Sequence, residues 1–296
     1  MKDKEQSERK VKSTGLQLPY HPYQLTSWII TLTTIFVFFA LIIPVQEMNA
    51  QIPMSIIYGI LQIFTIILGF ILTVSDPTDP MVLEYLEAQK AKEEFRKSYT
   101  NYCSLCSSPV SADSKHCMRC NRCTDKFDHH CKWVNNCVGR KNYSIFFLLI
   151  WIVEITQACF IICCAYEIHL GIDDSSDFRD KCEDVYGKNA HVVILVIVWS
   201  MMILSFLIFI SNAYLIGFHV YLIRHGITTY DLILKRREAK GLVEKEDDEI
   251  EVQEGNNAPN ENEVSSMQII QSAKVSDSSV SSGSRNSSPY RAKTEA

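Results

Sequence analysis

Seven of the chain's eleven cysteines and three of its histidines lie between residues 103 and 137. Their Cys-x2-Cys spacing is typical of a tight turn that delivers two thiolates to one tetrahedral metal ion. Two zinc ions need eight nitrogen or sulphur ligands, so ten candidates leave two residues over. A carboxylate, an imidazole and a thiol also occur within four residues, at Asp128, His129 and Cys131. Such a set suits nucleophilic catalysis by a thiol that is activated by a neighbouring base.

Two groupings of the metal ligands fit this spacing, successive pairs or an interleaved arrangement, and the residues alone leave both open. A site closed by four protein ligands has no open position for water, so we expect the metal to be structural. A free thiol is mostly protonated at neutral pH, and an adjacent imidazole that accepts its proton makes it a competent nucleophile. The structural alternative is that every cysteine and histidine of the stretch serves zinc in some other pairing.

The same stretch resembles the cysteine-rich region of the DHHC protein S-acyltransferases, also called palmitoyltransferases. The resemblance rests on the cysteine and histidine spacing and on three further motifs: Asp128-His129-His130-Cys131, Trp133-x-Asn135-Asn136-Cys137-x-Gly139 and Asn142-x3-Phe146. Three features match only in part: Asp76-Pro77-Thr78 where the family has Asp-Pro-Gly, Lys132 where it usually has proline, and Thr228-Thr229-Tyr230-Asp231 where it has Thr-Thr-x-Glu. In the family the last motif packs on the catalytic module, and a plain helix cap is the alternative interpretation.

The resemblance implies two structural zinc ions that are bound in the interleaved arrangement. It assigns one ion to Cys103, Cys106, His116 and Cys123, and the other to Cys117, Cys120, His130 and Cys137. It implies Cys131 as the nucleophile, His129 as its base and Asp128 as the partner that orients the base. The implied reaction is a two-step, ping-pong transfer of a long acyl chain. The acyl group passes from acyl-CoA, such as palmitoyl-CoA, to Cys131 and then to cysteines of membrane-associated substrate proteins.

Cations and an aromatic residue near the tetrad are the candidates for binding acyl-CoA. The phosphates of CoA need positive charge, and we expect Trp133 to lie near the acyl thioester. The candidate binding residues are therefore Trp133, Arg119, Arg122, Lys132 and Arg140.

Four long apolar runs flank the cysteine-rich stretch, at residues 28–45, 53–74, 145–166 and 192–223. The second run would reach about 33 Å as a helix, enough to cross a hydrocarbon core of about 30 Å. The last run would reach about 48 Å, so one end should project into water. The third contains Glu154, a functional candidate by default unless it pairs with a polar neighbour such as Gln157. We predict an all-α polytopic membrane protein with four transmembrane helices and a small two-zinc module between helices 2 and 3.

The composition along the chain predicts seven regions. Residues 81–97 carry charge at helical spacing and predict a solvated helix within the linker, whereas the N-terminal arm and the acidic, Ser/Asn-rich tail predict disorder. The regions are an N-terminal arm (1–24), transmembrane helices 1 and 2 (25–75), a helical linker (76–100), the zinc-binding DHHC region (101–144), transmembrane helices 3 and 4 with a lumenal loop at 169–190 (145–223), a juxtamembrane segment (224–243) and the tail (244–296).

Basic residues predict the orientation of the chain. Eleven Lys and Arg lie between the second and third apolar runs and three lie between the third and fourth, whereas the first short connection has none. By the positive-inside rule, both termini and the cysteine-rich module face the cytosol, where thiols stay reduced. Helices near 20 residues favour an endomembrane such as the Golgi or ER. The net charge of −5 indicates no nucleic-acid partner.

Two other classes of protein fit parts of the pattern. A catalytically inactive membrane adaptor would use the zinc module only to bind partners, and the complete Asp-His-x-Cys set argues against it. A RING-type ubiquitin ligase needs a Cys-x-His step followed by further Cys-x2-Cys pairs, which this stretch lacks.

Overall fold

The computed structural model describes residues 10–173 and 176–241. Within these residues, four helical spans are long and apolar enough to cross a membrane: Pro22–Val45, Met48–Val74, Tyr143–Ile172 and Ala190–His225. The cysteine-rich module lies between the second and third spans, which confirms the predicted fold class. The described part of residues 10–234 forms one compact unit, and residues 235–241 belong to a second. The predicted disordered tail at 244–296 lies outside the described residues.

Seven helices account for most of the described chain. The first, α1, continues beyond Val37 through a π turn, Phe38–Ile42, and a 3-10 turn, Ile43–Val45. The helices are α1 (Pro22–Val37), α2 (Met48–Val74), α3 (Pro80–Ala91), α4 (Tyr143–Ile172), α5 (Ser176–Tyr186), α6 (Ala190–His225) and α7 (Thr229–Glu238).

All four spans begin before the corresponding apolar runs, and the first two do so by the widest margin. Helix α1 starts at Pro22, because proline suits the first turn of a helix and His21 Nδ1 caps the start by accepting from Tyr23 N at 3.2 Å. Helix α2 starts at Met48 and contains Pro53 in its second turn. A proline so close to the start of a helix removes only one backbone hydrogen bond, so the helix continues through it.

Helix α4 packs against α2 and α6, and aromatic rings fill the space among the spans. Phe38, Tyr58 and Phe160 are fully buried there, with the Phe38 and Tyr58 rings stacked at 3.9 Å between centroids. The connection predicted as a loop at residues 169–190 instead holds α5. Glu154 pairs with a different neighbour from the predicted Gln157, because Asn212 Nδ2 on α6 donates to Glu154 Oε2 at 2.7 Å.

The helix predicted at residues 81–97 is shorter than predicted, and it is solvated over most of its length, because Val82 is its only buried residue. Helix α3 ends at Ala91, and Lys92 follows in a left-handed conformation with φ of 57°. The helix docks on the cysteine-rich module, where Val82 packs against Val110. Asp79 caps its first turn and also accepts from Ser111 N at 2.8 Å, so the cap itself binds α3 to the module.

Three antiparallel hairpins form the cysteine-rich module, and they share one design. Each turn contains a residue with positive φ, at positions 107, 121 and 135, which are each 14 residues apart. In each hairpin the middle residues of the two strands face each other. These pairs are Tyr102–Pro109, His116–Cys123 and His130–Cys137. The strands are β1 (Asn101–Cys103), β2 (Ser108–Val110), β3 (Lys115–Cys117), β4 (Arg122–Thr124), β5 (His129–Cys131) and β6 (Asn136–Val138).

Residues 10–21 pack against the module, so the prediction of a poorly ordered arm is wrong for them, while residues 1–9 lie outside the description. We call residues 10–21 the N-terminal strap. Lys12 N donates to Cys120 O at 2.8 Å, and Gly15 N donates to Thr73 O at 2.7 Å. A Cβ atom on Gly15 would lie 2.1 Å from Val134 O, so only glycine allows this approach. The strap therefore joins α2 to the second and third hairpins.

Candidate active site

The structure brings the eight predicted zinc ligands together in two interleaved sets. Within each set, one ligand atom from every residue lies within 4.8 Å of the others. The sets are Cys103, Cys106, His116 and Cys123, called set 1 here, and Cys117, Cys120, His130 and Cys137, called set 2. All eleven cysteines of the chain are free of disulfide bonds.

The spacing of the ligand atoms fits a tetrahedral zinc ion in both sets. In set 1, His116 Nδ1 lies 3.3 to 3.8 Å from the three sulphur atoms, and Cys106 Sγ lies 3.5 Å from Cys123 Sγ. In set 2, His130 Nδ1 lies 3.4 to 3.8 Å from its three sulphur atoms. Zinc bonds of about 2.3 Å to sulphur and about 2.0 Å to nitrogen give tetrahedron edges of roughly 3.5 to 3.8 Å.

The protonation chemistry of the crowded thiols also fits a cation. Hydrogen bonding with the Cys106 sulphur raises the pKa of Cys123 above its ordinary value, and the same bond lowers the pKa of Cys106 to about 4. A divalent ion allows all three to ionise, which is how zinc binding releases protons from cysteine ligands.

The hairpin design explains why the sets interleave. Each set takes two thiols from the turn of one hairpin, and we call these two cysteines the knuckle of that hairpin. The other two ligands are a histidine and a cysteine that face each other in the next hairpin, and we call them the stem pair of that hairpin. Set 1 joins the knuckle of β1–β2 to the stem pair of β3–β4. Set 2 joins the knuckle of β3–β4 to the stem pair of β5–β6. The successive-pair grouping does not occur.

Cys131 lies outside both sets, at the first knuckle position of the third hairpin. It faces Asn136 across the strands just as Cys117 faces Arg122. The second knuckle position, which Cys106 and Cys120 occupy in the first two hairpins, is Val134. The thiol of Cys131 is buried, with 7% of the residue exposed, and packs with Val134, Leu72 and Phe146.

Asp128 and His129 form a hydrogen-bonded pair beside this thiol. His129 Nδ1 donates to Asp128 Oδ2 at 2.6 Å, and Asp128 is 2% exposed. Burial opposes ionisation of Asp128, but hydrogen bonds from His129 and Thr229 keep its pKa below the usual value. Burial would also lower the pKa of His129, but hydrogen bonds with Asp128 and Cys131 outweigh it and raise the pKa to about 9. The raised pKa thus favours the imidazolium form of His129, which is the form that results when His129 takes the proton of the neighbouring thiol.

The segment after α6 supports Asp128 directly. Thr229 donates to both carboxylate oxygens of Asp128, from N at 2.8 Å and from Oγ1 at 2.9 Å. The helix cap that was the alternative interpretation is present as well. Thr228 N donates to Asp231 Oδ2 at 2.9 Å and Thr228 Oγ1 accepts from Asp231 N at 3.1 Å, a reciprocal cap that aspartate completes without the longer glutamate.

One residue of the site is absent from the sequence predictions. His219, on α6, is 1% exposed, and its ring centroid lies 5.9 Å from that of His129. His219, Asp128 and His129 form a third group of ligand-type atoms within 4.8 Å of one another. Tyr143 OH hydrogen-bonds His219 Nδ1 at 3.0 Å. The available signal was an ionisable side chain in a long apolar run, the same signal that singled out Glu154.

The five candidates for acyl-CoA binding have different environments. Arg122 is 2% exposed and donates to Ser13 O, Asp76 and Asn136, so its guanidinium is held inside the module. This burial is the physical reason why Arg122 does not suit phosphate binding. Arg140 is exposed and pairs with Asp125 at 2.7 Å.

The other three candidates are exposed, and two of them, Trp133 and Lys132, contact the start of α1. Trp133 is 50% exposed and stacks on Tyr23 with 5.1 Å between ring centroids. Lys132 lies over the same Tyr23 ring at 5.7 Å, a cation–π contact that gives this departure from the family pattern a structural role. Arg119 is exposed.

The fold and the site together define a membrane-helix protein whose helices carry a zinc-compatible, cysteine-rich module with one thiol outside both metal sets. Comparison with known proteins agrees. A family model described as DHHC palmitoyltransferase matches residues 96–236. Mouse palmitoyltransferase ZDHHC11 is 30% identical over 271 residues, which cover 83% of this chain and 77% of that protein. The chain belongs to the DHHC palmitoyltransferase family.

Other relatives match over about half of the chain. Mouse palmitoyltransferase ZDHHC18 is 30% identical over 136 residues, which cover 46% of this chain. The probable protein S-acyltransferase 20 of Arabidopsis thaliana is 27% identical over 153 residues, which cover 50% of this chain. The matched segments span only 29% and 21% of the lengths of these two relatives.

Proposed function

We propose that this protein is a protein S-palmitoyltransferase that carries the acyl group on Cys131. Family membership supports S-acyl transfer in general. The observation that carries the proposal for this chain is that Cys131 lies outside both metal sets and beside the hydrogen-bonded pair of His129 and Asp128.

In the first step Cys131 takes the acyl group from acyl-CoA. The thiol proton passes to His129, and the thiolate attacks the carbonyl carbon of the thioester. The bond between that carbon and the sulphur of CoA then breaks, and the proton on His129 goes to the departing CoA thiolate. Asp128 holds the tautomer of His129 and stabilises the imidazolium, the role of the carboxylate in a catalytic triad.

In the second step the acyl group passes to a cysteine of a substrate protein. The acceptor thiol loses its proton to His129 and attacks the carbonyl carbon of the acyl-enzyme. The bond to the Cys131 sulphur breaks, and the thiolate recovers the proton from His129. Each step exchanges one thioester for another, so no oxidant or reductant is required.

The two metal sets would hold structural zinc. The residues present supply three thiols and one imidazole to each ion, with tetrahedral spacing and no fifth ligand position. The zinc would fix the hairpins and so orient the loop that carries Cys131. The chemistry of acyl transfer itself belongs to Cys131, His129 and Asp128.

Acyl-CoA is the proposed co-substrate. Burial of an acyl chain among apolar helices contributes about 0.8 kcal/mol per CH2 group, so a long chain is favoured over a short one. Arg119 and Lys132 are exposed cations close to the tetrad in sequence, and Trp133 offers a half-exposed aromatic face beside Lys132. We propose these three for the CoA side of the site, with Arg140 as a further exposed cation that already pairs with Asp125.

The distribution of Lys and Arg supports a module that faces the cytosol, with both termini on that side. The acceptors would then be cytosolic cysteines of proteins on the same membrane, since four membrane-spanning helices would hold the module close to the bilayer surface.

The two-step reaction can be tested by isolating its intermediate. Purified protein in lipid nanodiscs is loaded with labelled palmitoyl-CoA, freed of acyl-CoA by gel filtration, and then mixed with a membrane-tethered peptide that contains one cysteine. The expected result is transfer of label from protein to peptide without further acyl-CoA. A peptide with serine in place of cysteine is the control.

Two outcomes would contradict the proposal. A loaded protein that keeps its label in the presence of the cysteine peptide is not a competent intermediate. A preparation that binds two zinc ions per chain but takes up no label supports the inactive adaptor instead.

A further inference from the structure

Two rings from the membrane spans lie against the imidazole of His129. The Phe146 ring on α4 packs against it edge to face, with 5.2 Å between ring centroids and 73° between ring planes. The His219 ring on α6 lies 5.9 Å from it, centroid to centroid. Phe146 and His219 also pack against each other edge to face at 4.9 Å. The three rings therefore form one cluster beside the hydrogen bond between His129 and Asp128.

A hydrogen bond fixes the ring of His219 within this cluster. Tyr143 OH hydrogen-bonds His219 Nδ1 at 3.0 Å, and His219 is 1% exposed. Tyr143 is the first residue of α4 and follows Asn142, whose side chain donates to Cys137 O at 3.0 Å and to Ser75 Oγ at 2.8 Å. Tyr143 thus lies where α4 is attached to the cysteine-rich module. The ring of His219 is held relative to the module as well as to its own helix.

The hydrogen bond to Asp128 does not by itself fix the plane of the His129 ring. It holds a single atom, Nδ1, at 2.6 Å from Asp128 Oδ2. The χ2 torsion of histidine has broad minima, so a ring that is held at one atom can still turn. A general base has to meet the proton that it accepts with good alignment. Contacts with the rest of the ring are needed to supply that alignment.

We propose that His219 is a positioning residue for acyl transfer, which fixes the plane of the His129 imidazole beside Cys131. Phe146 packs on both imidazoles, and Tyr143 holds the ring of His219. We call Tyr143, Phe146 and His219 the ring brace. His219 acts through His129 and exchanges no proton with the reacting thiols. The inference rests on the proposed function, which makes His129 the base.

Helix α6 and the segment after it thereby support both members of the Asp128–His129 pair. His219 lies against His129, and Thr229 donates to both carboxylate oxygens of Asp128. One nitrogen or oxygen atom from each of Asp128, His129 and His219 lies within 4.8 Å of the other two. The packing of this membrane span therefore sets the position of the base and of the carboxylate together.

The kinetic test is single-turnover acylation of the full-length protein in lipid nanodiscs, with labelled palmitoyl-CoA over a range of concentrations. We expect His219→Leu to lower the maximal rate about 10- to 100-fold, the usual effect of a misplaced reacting group. The concentration that gives half the maximal rate should stay within about twofold of wild type, because substrate binding is not what the brace supports. This split separates positioning from a loss of acyl-CoA binding.

Conservative variants separate the ring from its hydrogen bond. His219→Phe keeps a ring in place but loses the bond to Tyr143, and Tyr143→Phe loses the same bond from the other side. We expect each to lower the maximal rate about fivefold, the effect of one hydrogen bond, and so to retain more activity than His219→Leu. Tyr221→Phe on the exposed side of α6 is the matched control, with the wild-type rate expected. In an Asp128→Asn background, where the ring is already free to turn, His219→Leu should cost less than in wild type.

The orientation of the ring is measured directly, without acyl-CoA, in crystal structures of wild type and His219→Leu. We expect the His129 ring of the variant to turn by at least about 30° or to occupy two orientations. Elemental analysis of the same protein should find two zinc ions per chain, which verifies that sets 1 and 2 are intact.

Three results would overturn the proposal. They are an unchanged His129 ring in His219→Leu, acylation of that variant at the wild-type rate, and a loss of zinc that assigns His219 to the fold of the module instead. A wild type that forms no acyl-enzyme, together with a turned ring in the variant, would contradict the proposed function and still support the orientation of His129 by His219.

Discussion

Set 1 and set 2 have nearly the same internal geometry but very different surroundings. The histidine nitrogen lies 3.3 to 3.8 Å from the sulphur atoms in set 1 and 3.4 to 3.8 Å in set 2. In set 1, Cys103 and Cys106 are only half-buried, and the set packs with Val82 of α3. In set 2 all three cysteines are buried, and Cys120 O accepts from the N-terminal strap.

The difference indicates that two metal sets with the same types of ligand have different structural roles in the module. Set 1 binds the module to α3, whereas set 2 includes His130, the neighbour of Cys131 in β5. The stem pair of set 2 lies in the hairpin that carries Cys131, so set 2 fixes the backbone on which the thiol is mounted. The two sets should therefore respond differently to the loss of a ligand.

The largest effect is expected from Cys137→Ser, which removes a fully buried ligand of set 2. Structural zinc contributes about 10 to 16 kcal/mol of apparent binding free energy in small fingers, so the third hairpin should lose its fold. We expect one bound zinc fewer and no detectable acyl-enzyme, measured with labelled palmitoyl-CoA and elemental analysis. Acyl-enzyme formation at the wild-type level would show that acylation of Cys131 does not depend on set 2, and it would contradict the different roles assigned to the two sets.

Asp128→Asn should lower acyl-enzyme formation by about 100-fold while both zinc ions remain, because general acid–base groups contribute about 100- to 10,000-fold. The variant also predicts a change of pH dependence. With Asp128 present, the pKa of His129 is raised to about 9, so the imidazolium persists below that pH and is lost above it. Without the carboxylate the pKa falls, and the alkaline decline should begin at a lower pH.

The measurement is the initial rate of acyl-enzyme formation between pH 6 and 10, with elemental analysis to verify that both metal sets are intact. A decline at the same pH in wild type and Asp128→Asn would show that another group controls the alkaline limit.

Cys106→Ser sharpens the comparison from the side of set 1. We expect one zinc ion to be lost and acyl-enzyme formation to fall only about tenfold, because set 2 and the strap still support the hairpin of Cys131; each tenfold change corresponds to about 1.4 kcal/mol of barrier. The assay is the one used for Cys137→Ser, with Cys159→Ser on α4 as a cysteine control outside both sets. Equal losses in Cys106→Ser and Cys137→Ser would mean that the module acts as a single cooperative unit.

The smallest effect is expected from Thr229→Val, which removes one of the two hydrogen bonds from Thr229 to Asp128. One such bond is worth about 1 kcal/mol, so acyl-enzyme formation should fall about fivefold with both zinc ions retained. Tyr221→Phe on the exposed side of α6 is a control for nearby substitutions. A loss of zinc in Thr229→Val would instead indicate that the contact stabilises the module rather than the carboxylate.

Residue spacing alone was enough to predict the features whose signal lies within a short stretch of the chain. The Cys-x2-Cys turns, the tetrad and the four apolar runs each contain their own signal within a few residues or a single helix. The ligand grouping needed the family resemblance, although the 14-residue repeat of hairpins was already present in the sequence, where His116 to Cys123 and His130 to Cys137 share one pattern.

Contacts between distant segments were the part that sequence reasoning missed. Gly15 is a glycine because Val134 O approaches it, and no local pattern reveals that approach. Charges at residues 81–97 indicated solvent, but Asp79 and Val82 attach the start of α3 to the module. His219 reaches the site only because α6 packs against α4 beside the third hairpin.

The most direct test of the central claim is the site of acylation, measured together with zinc content in the same samples. Wild type, Cys131→Ser and Cys159→Ser are incubated with labelled palmitoyl-CoA, and hydroxylamine-sensitive label is located by peptide mass spectrometry. The account predicts label on Cys131 in wild type and Cys159→Ser, and none in a Cys131→Ser protein that still holds two zinc ions. Thioester label in that Cys131→Ser protein, or on another cysteine of wild type, would contradict it.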